Sequence, residues 1–177
     1  MKVLWITVGV VILDQVTKLW VKSRFYYGES IDVVGSVLKF TYIENPGMAF
    51  GIRFAGPWFF TIFSAIASVI IFVLLYRMRH EALAGRIALS LVLGGAIGNL
   101  IDRSLYGRVV DFIDVGIGTT RWPVFNLADS AVTVGMILLI ALMIFEKEHK
   151  EDETSGLKVK NKELPESEER DIWQTPE

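Results

Sequence analysis

The chain has 177 residues, of which 52% are hydrophobic, and its 18 basic and 20 acidic residues leave a formal charge of -2. That is long enough for one domain and too apolar for an ordinary water-soluble one, so the composition points to a small integral membrane protein. There is no cysteine, and the only histidines, His80 and His149, lie far apart outside the apolar runs, which leaves thiolate metal sites, zinc hydrolysis and Ser-His or Cys-His catalysis without their residues.

Four apolar runs approach the roughly 20 residues that a helix needs to cross hydrocarbon. They cover about 3–22, 56–76, 84–102 and 125–145. In the first, Lys2 precedes "VLWITVGVVIL" as in a secretory signal, but no small-x-small cleavage site follows and "DQVTKLW" continues the helical pattern, so a retained span is expected. It carries Asp14 with Lys18 four residues later on the same face, a pair that neutralises itself and suits a structural or site-supporting role.

Residues about 25–54 form an insertion in which the period changes. Val37, Lys39, Thr41 and Ile43 alternate with Leu38, Phe40, Tyr42 and Glu44, the two-residue repeat of a strand, with "GS" and "NPG" as flanking turns. A small antiparallel sheet at the membrane surface is expected here, between the first two helices.

The link between the second and third runs, "RMRHEALAGR", is rich in arginine, and lysines follow the fourth run. Positive charge favours the cytoplasmic side, which puts both termini there, although Lys22, Arg24, Lys39, Arg53, Arg108 and Arg121 fall on the opposite side. The third run holds Gly94 and Gly98, a GxxxG pair that admits a close helix neighbour, within the chain or in a homodimer. Asn99 brings an amide to the same interface. Asp102 and Arg103 close the run; the arginine suits a helix C-terminus and could hold a substrate carbonyl or a lipid oxygen, whereas the aspartate needs a partner.

"GRVVDFIDVG", residues 107–116, follows with Asp111 and Asp114 in a segment too apolar for a freely hydrated loop. "FNLADS", residues 125–130, opens the fourth run; if Asn126 is the N-cap, Asp129 stands at N3 and the two read as a variant capping box. From Glu146 onward the chain holds 11 of its 20 acids and 6 of its 18 bases, a polar tail without hydrophobic pattern that is expected to be a disordered cytoplasmic appendage over 147–177, leaving 1–146 as the membrane domain.

Ionisable groups in a membrane mark function by default. Should Asp111 approach Asp129, each would raise the other's cost of ionisation, and a shared proton would serve to activate water and protonate a leaving nitrogen. Two other readings use the same acids. Asp111-Phe-Ile-Asp114 could be a DxxD element for Mg²⁺ in phosphotransfer, or the acids could be cation sites of a small transporter. A second DxxD, a glycine-rich phosphate loop and an internal repeat are all missing from the sequence.

The ordered series "DQVTK" (14–18), "ENPGMAFG" (44–51), "GGAIGNLIDR" (94–103), "GRVVDFID" (107–114) and "FNLADS" (125–130) closely resembles lipoprotein signal peptidase, the bacterial type II signal peptidase, over about residues 5–145. The resemblance implies an all-α integral membrane protein with four transmembrane helices and a small extracytoplasmic antiparallel sheet. It further implies an aspartyl endopeptidase of the inner membrane that cuts prolipoproteins before a diacylglyceryl-modified cysteine, with its site at the outer leaflet, and that is inhibited by the cyclic peptide globomycin. Asp111 and Asp129 then form the catalytic pair. Asn45, Gly47, Asn99, Arg103 and Asn126 are expected on the substrate-binding side, with Asp14, Lys18 and Asp102 in support. No cofactor, metal or nucleic-acid partner is implied, membrane lipid is the surrounding partner, and a monomer is expected.

Overall fold

A computed structural model describes residues 2–47 and 57–162. Residues 48–54 of the expected insertion, and the tail from 163, including Trp173, lie outside the described part.

The elements run α1 (Leu4–Arg24), β1 (Ser30–Val34), β2 (Leu38–Asn45), α2 (Pro57–Arg77), α3 (Leu83–Tyr106), β3 (Val109–Ile117), β4 (Thr120–Arg121) and α4 (Leu127–Lys162). Four of them, Leu4–Arg24, Trp58–Arg77, Leu83–Tyr106 and Leu127–Phe145, are long and apolar enough to cross a membrane. The apolar run lengths dictate this, because only a helix satisfies every backbone N–H and C=O within its own segment in lipid. Helix α3 is the central one, with 56% of its apolar window buried against 22% in α1 and 11% in each of α2 and α4. Ile62, Phe63, Ile66, Val69 and Ile70 of α2 stay exposed, as side chains facing lipid would.

Small residues bring the helices close. A Cβ on Gly94 would lie 2.7 Å from Val10 Cβ, and one on Gly98 would lie 2.6 Å from Asp14 Oδ2, both on α1. The GxxxG face is therefore used inside the chain. Gly95 faces the Ala128 carbonyl in the same way, so α3 meets α1 along one side and α4 along another. Gly107 ends α3 in the left-handed region at φ 67°, and its N–H donates to the Arg103 carbonyl.

The sheet has the order β1-β2-β3-β4 with every pair antiparallel. It is larger than the insertion alone predicts. β1 and β2 come from the α1–α2 connection, but β3 and β4 come from the α3–α4 connection, so "VVDFIDVGI" is a central strand. β3 pairs with β2 in a register that sets Asp111 opposite Ile43 and Asn45 opposite Val109. Val21, Phe25, Tyr42, Val110 and Phe112 form the buried cluster that seats the sheet on α1.

Contacts divide the chain into Met1–Leu139 and Ile140–Glu177. The first unit holds α1 to α3, the sheet and the beginning of α4. In the second, the backbone stays helical through Lys162, where a structureless appendage from 147 is expected. Glutamate and lysine are strong helix formers, and their abundance in this stretch lets the helix outlast its apolar run.

Candidate active site

The site grows from the start of α4. Asn126 Oδ1 accepts from the Asp129 N–H at 3.0 Å, and Asp129 Oδ2 accepts from the Asn126 N–H at 3.2 Å, the reciprocal capping box that the Asn-x-x-Asp spacing implies. Capping occupies only one carboxylate oxygen. Asp129 Oδ1 accepts from Asn99 Nδ2 on α3 at 2.7 Å. The buried Asn126 amide also reaches the other acid, since its Nδ2 donates to Asp111 Oδ1 on β3 at 2.6 Å and comes within 3.1 Å of Asn99 Oδ1 and 3.3 Å of the Val110 carbonyl. One asparagine thus touches both aspartates, fifteen and three residues away in sequence.

Asp111 is 2% exposed. Its other oxygen accepts from Asn45 Nδ2, at the end of β2, at 3.1 Å. Burial, and next the charge of Asp129, push its carboxyl up to about 7, and the hydrogen bonds from Asn45 and Asn126 and the charge of Lys18 offset only part of this. Below that value Asp111 carries its proton. Asn45 is itself fixed by the turn after β2: its Oδ1 accepts from the Gly47 N–H at 2.9 Å. Gly47 has φ 101°, and a Cβ there would run into the Phe60 ring, so glycine is required on both counts.

Beneath the pair lies a buried polar cluster. Lys18 Nζ donates to Asp14 Oδ2 at 2.8 Å, Asp102 Oδ2 at 3.0 Å and Asn99 Oδ1 at 2.9 Å, three acceptors for three protons. The intrahelical pair expected from the sequence is in fact part of an acid–base–acid arrangement. Asp102 finds the partner that its place at a helix C-terminus demands, and also accepts from the Val110 N–H at 3.1 Å, fastening β3 to α3. Asp14 Oδ1 accepts from the Ala128 N–H at 3.0 Å, so α1 helps to cap α4. Sequence reasoning missed Gln15, whose Nε2 reaches Asp14 Oδ2, the Gly98 carbonyl and Asp102 Oδ1 at 3.0–3.2 Å. Its position beside Asp14 was the only local signal.

Arg103 Nη1 donates to Ser64 Oγ on α2 at 3.0 Å, while its Nε is buried with no hydrogen-bond partner among the described residues. Asp129, Asp111 and Asp102 all act on this guanidinium electrostatically. Asp114 belongs elsewhere. It accepts from Arg121 Nε at 2.8 Å and Thr41 Oγ1 at 2.9 Å, and three positions along a strand from Asp111 it projects from the opposite face of the sheet. Arg108, the base nearest Asp111 in sequence, pairs with Glu44 at 3.3 Å instead.

Residues 6–145 match the family model described as Signal peptidase (SPase) II. The lipoprotein signal peptidase of Syntrophus aciditrophicus (strain SB) is 44% identical over 151 residues, covering 82% of this chain and 94% of that protein. That of Geobacillus kaustophilus (strain HTA426) is 46% identical over 142 residues, 80% of this chain and 92% of the other. Among solved structures, one described as a bacterial membrane enzyme determined by the in meso method at 2.3 Å superposes with a TM-score of 0.73 at 38% identity, over 84% of this chain and 91% of that one. A second, at 1.9 Å, gives 0.68 at 39% identity over 80% and 92%. With four helices fit to span a membrane and a match that runs through all of them, the chain is a multi-pass membrane peptidase of the signal peptidase II family, the lipoprotein signal peptidases.

Proposed function

We propose that the chain is an aspartyl endopeptidase that removes the signal peptide from diacylglyceryl-modified prolipoproteins by cutting before the lipidated cysteine, with Asp111 and Asp129 as the catalytic pair. The observation that carries the reading is Asn126, which hydrogen-bonds to both aspartates while burial and the charge of Asp129 hold Asp111 near neutrality.

The chemistry follows from that asymmetry. Asp111, which burial and the charge of Asp129 push up to about 7, is the member that holds the proton, and Asp129 takes a second one from water. The hydroxide so formed attacks the scissile carbonyl carbon, and Asp111 delivers its proton to the carbonyl oxygen. Collapse of the tetrahedral intermediate breaks the C–N bond as the leaving nitrogen is protonated, leaving one proton again on the pair. Arg103, whose buried Nε has no partner among the described residues, is suited to donate to a substrate carbonyl, and Asn45 and Gly47 border the approach beside Asp111.

The depth of the pair suits a lipidated substrate. Asp14, which caps α4, lies ten residues before Arg24 at the end of α1, roughly 15 Å along the helix at about 1.5 Å per residue. Acyl chains could then stay in hydrocarbon while the peptide bond reaches the acids. On the same reading the membrane is the bacterial inner membrane, both termini are cytoplasmic, the site faces the outer leaflet and globomycin competes for it. The Mg²⁺ alternative loses its geometry, because the two aspartates of the DxxD element point to opposite faces of β3 and are engaged by different partners.

The test is cleavage of a purified diacylglyceryl-modified prolipoprotein. The parent protein is expected to cut it, to be blocked by globomycin and to be indifferent to EDTA. Loss of activity in EDTA with recovery in Mg²⁺ would favour the phosphotransfer-like site and overturn the proposal.

A further inference from the structure

The polar cluster below the aspartates is connected to Asp129 through a single side-chain amide. Lys18 Nζ donates to Asn99 Oδ1 at 2.9 Å, and Asn99 Nδ2 donates to Asp129 Oδ1 at 2.7 Å. An ammonium has three protons and no acceptor, so an asparagine amide facing it must present its oxygen. That requirement decides which end of Asn99 is left for Asp129. Asn126 Nδ2 also approaches Asn99 Oδ1, at 3.1 Å, but it has two protons for three acceptors, Asp111 Oδ1, Asn99 Oδ1 and the Val110 carbonyl, and the shortest contact is to Asp111. Its hold on Asn99 is shared, whereas that of Lys18 is not.

We propose that Lys18 is a positioning residue for the peptidase reaction: by donating to Asn99 Oδ1 it locks the Asn99 amide with its NH₂ toward Asp129, and so holds Asp129 as the oriented, ionised partner of Asp111. This rests on the reading of Asp111 and Asp129 as the catalytic pair. A lysine present only to join helices would need Asp14 and Asp102, both of which it has, and no third bond to a residue that contacts the site. The charged groups facing Lys18 are Asp14 on its own helix and Asp102 on α3. Asp111 on β3 feels its charge at longer range, and Asp129 on α4 is reached through Asn99.

The test is a double-mutant cycle read in kcat, KM and pH profile with a diacylglyceryl-modified prolipoprotein. Lys18→Met and Asn99→Ala are each expected to lower kcat about 100-fold, the order expected for a misplaced catalytic group, with KM little changed. The double variant should be no slower than either single one, because both remove the same connection. Lys18→Met should also move the alkaline limb of the profile upward, since its charge favours ionised Asp111. Should Lys18→Met fail to fold, Asp14→Asn with Lys18→Met removes one acid together with the base, and the cycle is run on that background. Losses that multiply, or a Lys18→Met protein with a kcat near that of the parent, would overturn the proposal. Asp111→Asn is assayed alongside: activity there defeats the catalytic pair itself, whereas a dead Asp111→Asn with an additive cycle defeats only the role of Lys18.

Discussion

Asp111, Asp114 and Asp129 are the same side chain in three settings. Asp111 is buried between two amides with a second acid at hand, Asp129 caps a helix with one oxygen and takes a side-chain amide with the other, and Asp114 is neutralised by Arg121. Asp111→Asn and Asp129→Asn should each abolish cleavage in purified protein that still inserts and melts cooperatively. Asp114→Asn should keep its activity and lose about 1–3 kcal/mol of stability, the usual cost of removing one partner of a hydrogen-bonded charge pair, visible as a lower melting temperature. The raised carboxyl of Asp111 also sets a sign for pH. Its proton is bound more tightly in the folded protein than at the ordinary 3.8, so the fold loses stability as pH rises from about 4 to about 7, by on the order of 4 kcal/mol at most. Asp111→Asn removes that dependence, and its melting temperature relative to the parent should improve from pH 5 to pH 8. Cleavage should fall as pH climbs through about 7, where Asp111 ceases to be an acid.

At the scale of elements, the contact of α1, α3 and α4 depends on side chains that are absent. Gly98→Ala would set a methyl 2.6 Å from Asp14 Oδ2, displacing the carboxylate from Lys18 and Ala128, and is expected to destabilise by about 1–3 kcal/mol. Gly9→Ala on α1, with nothing within 4 Å, should melt no lower than the parent, because alanine suits a helix interior better than glycine. The four helices were legible because apolar runs of membrane length have one structural solution. The Asn126–Asp129 box was legible because its two bonds are local, and β2 because it is half-buried and alternates. β3 was not: "VVDFIDV" is buried along most of its length, and a strand covered on both faces has no alternation to read. Gln15 and the three-way bonding of Lys18 escaped because, Asp14 apart, their partners on α3 lie more than eighty residues away, a distance that spacing cannot bridge.

Over the whole molecule, every residue assigned to the site lies within the Met1–Leu139 unit. Truncation after Lys150 should therefore leave prolipoprotein processing intact, which complementation with the shortened gene would check. The same unit holds α1 to α3, the start of α4 and the sheet around two acids, and the proposed chemistry needs one of them to keep its proton. That protonation is open to direct observation by pH-difference infrared spectroscopy, which resolves the C=O stretch of a neutral carboxyl. A proton held on Asp111 requires a carboxyl band that titrates with a midpoint of about 7 in the parent protein and is missing from Asp111→Asn. A band that vanishes in the ordinary carboxylate range near pH 4, or one that survives unchanged in Asp111→Asn, would contradict it.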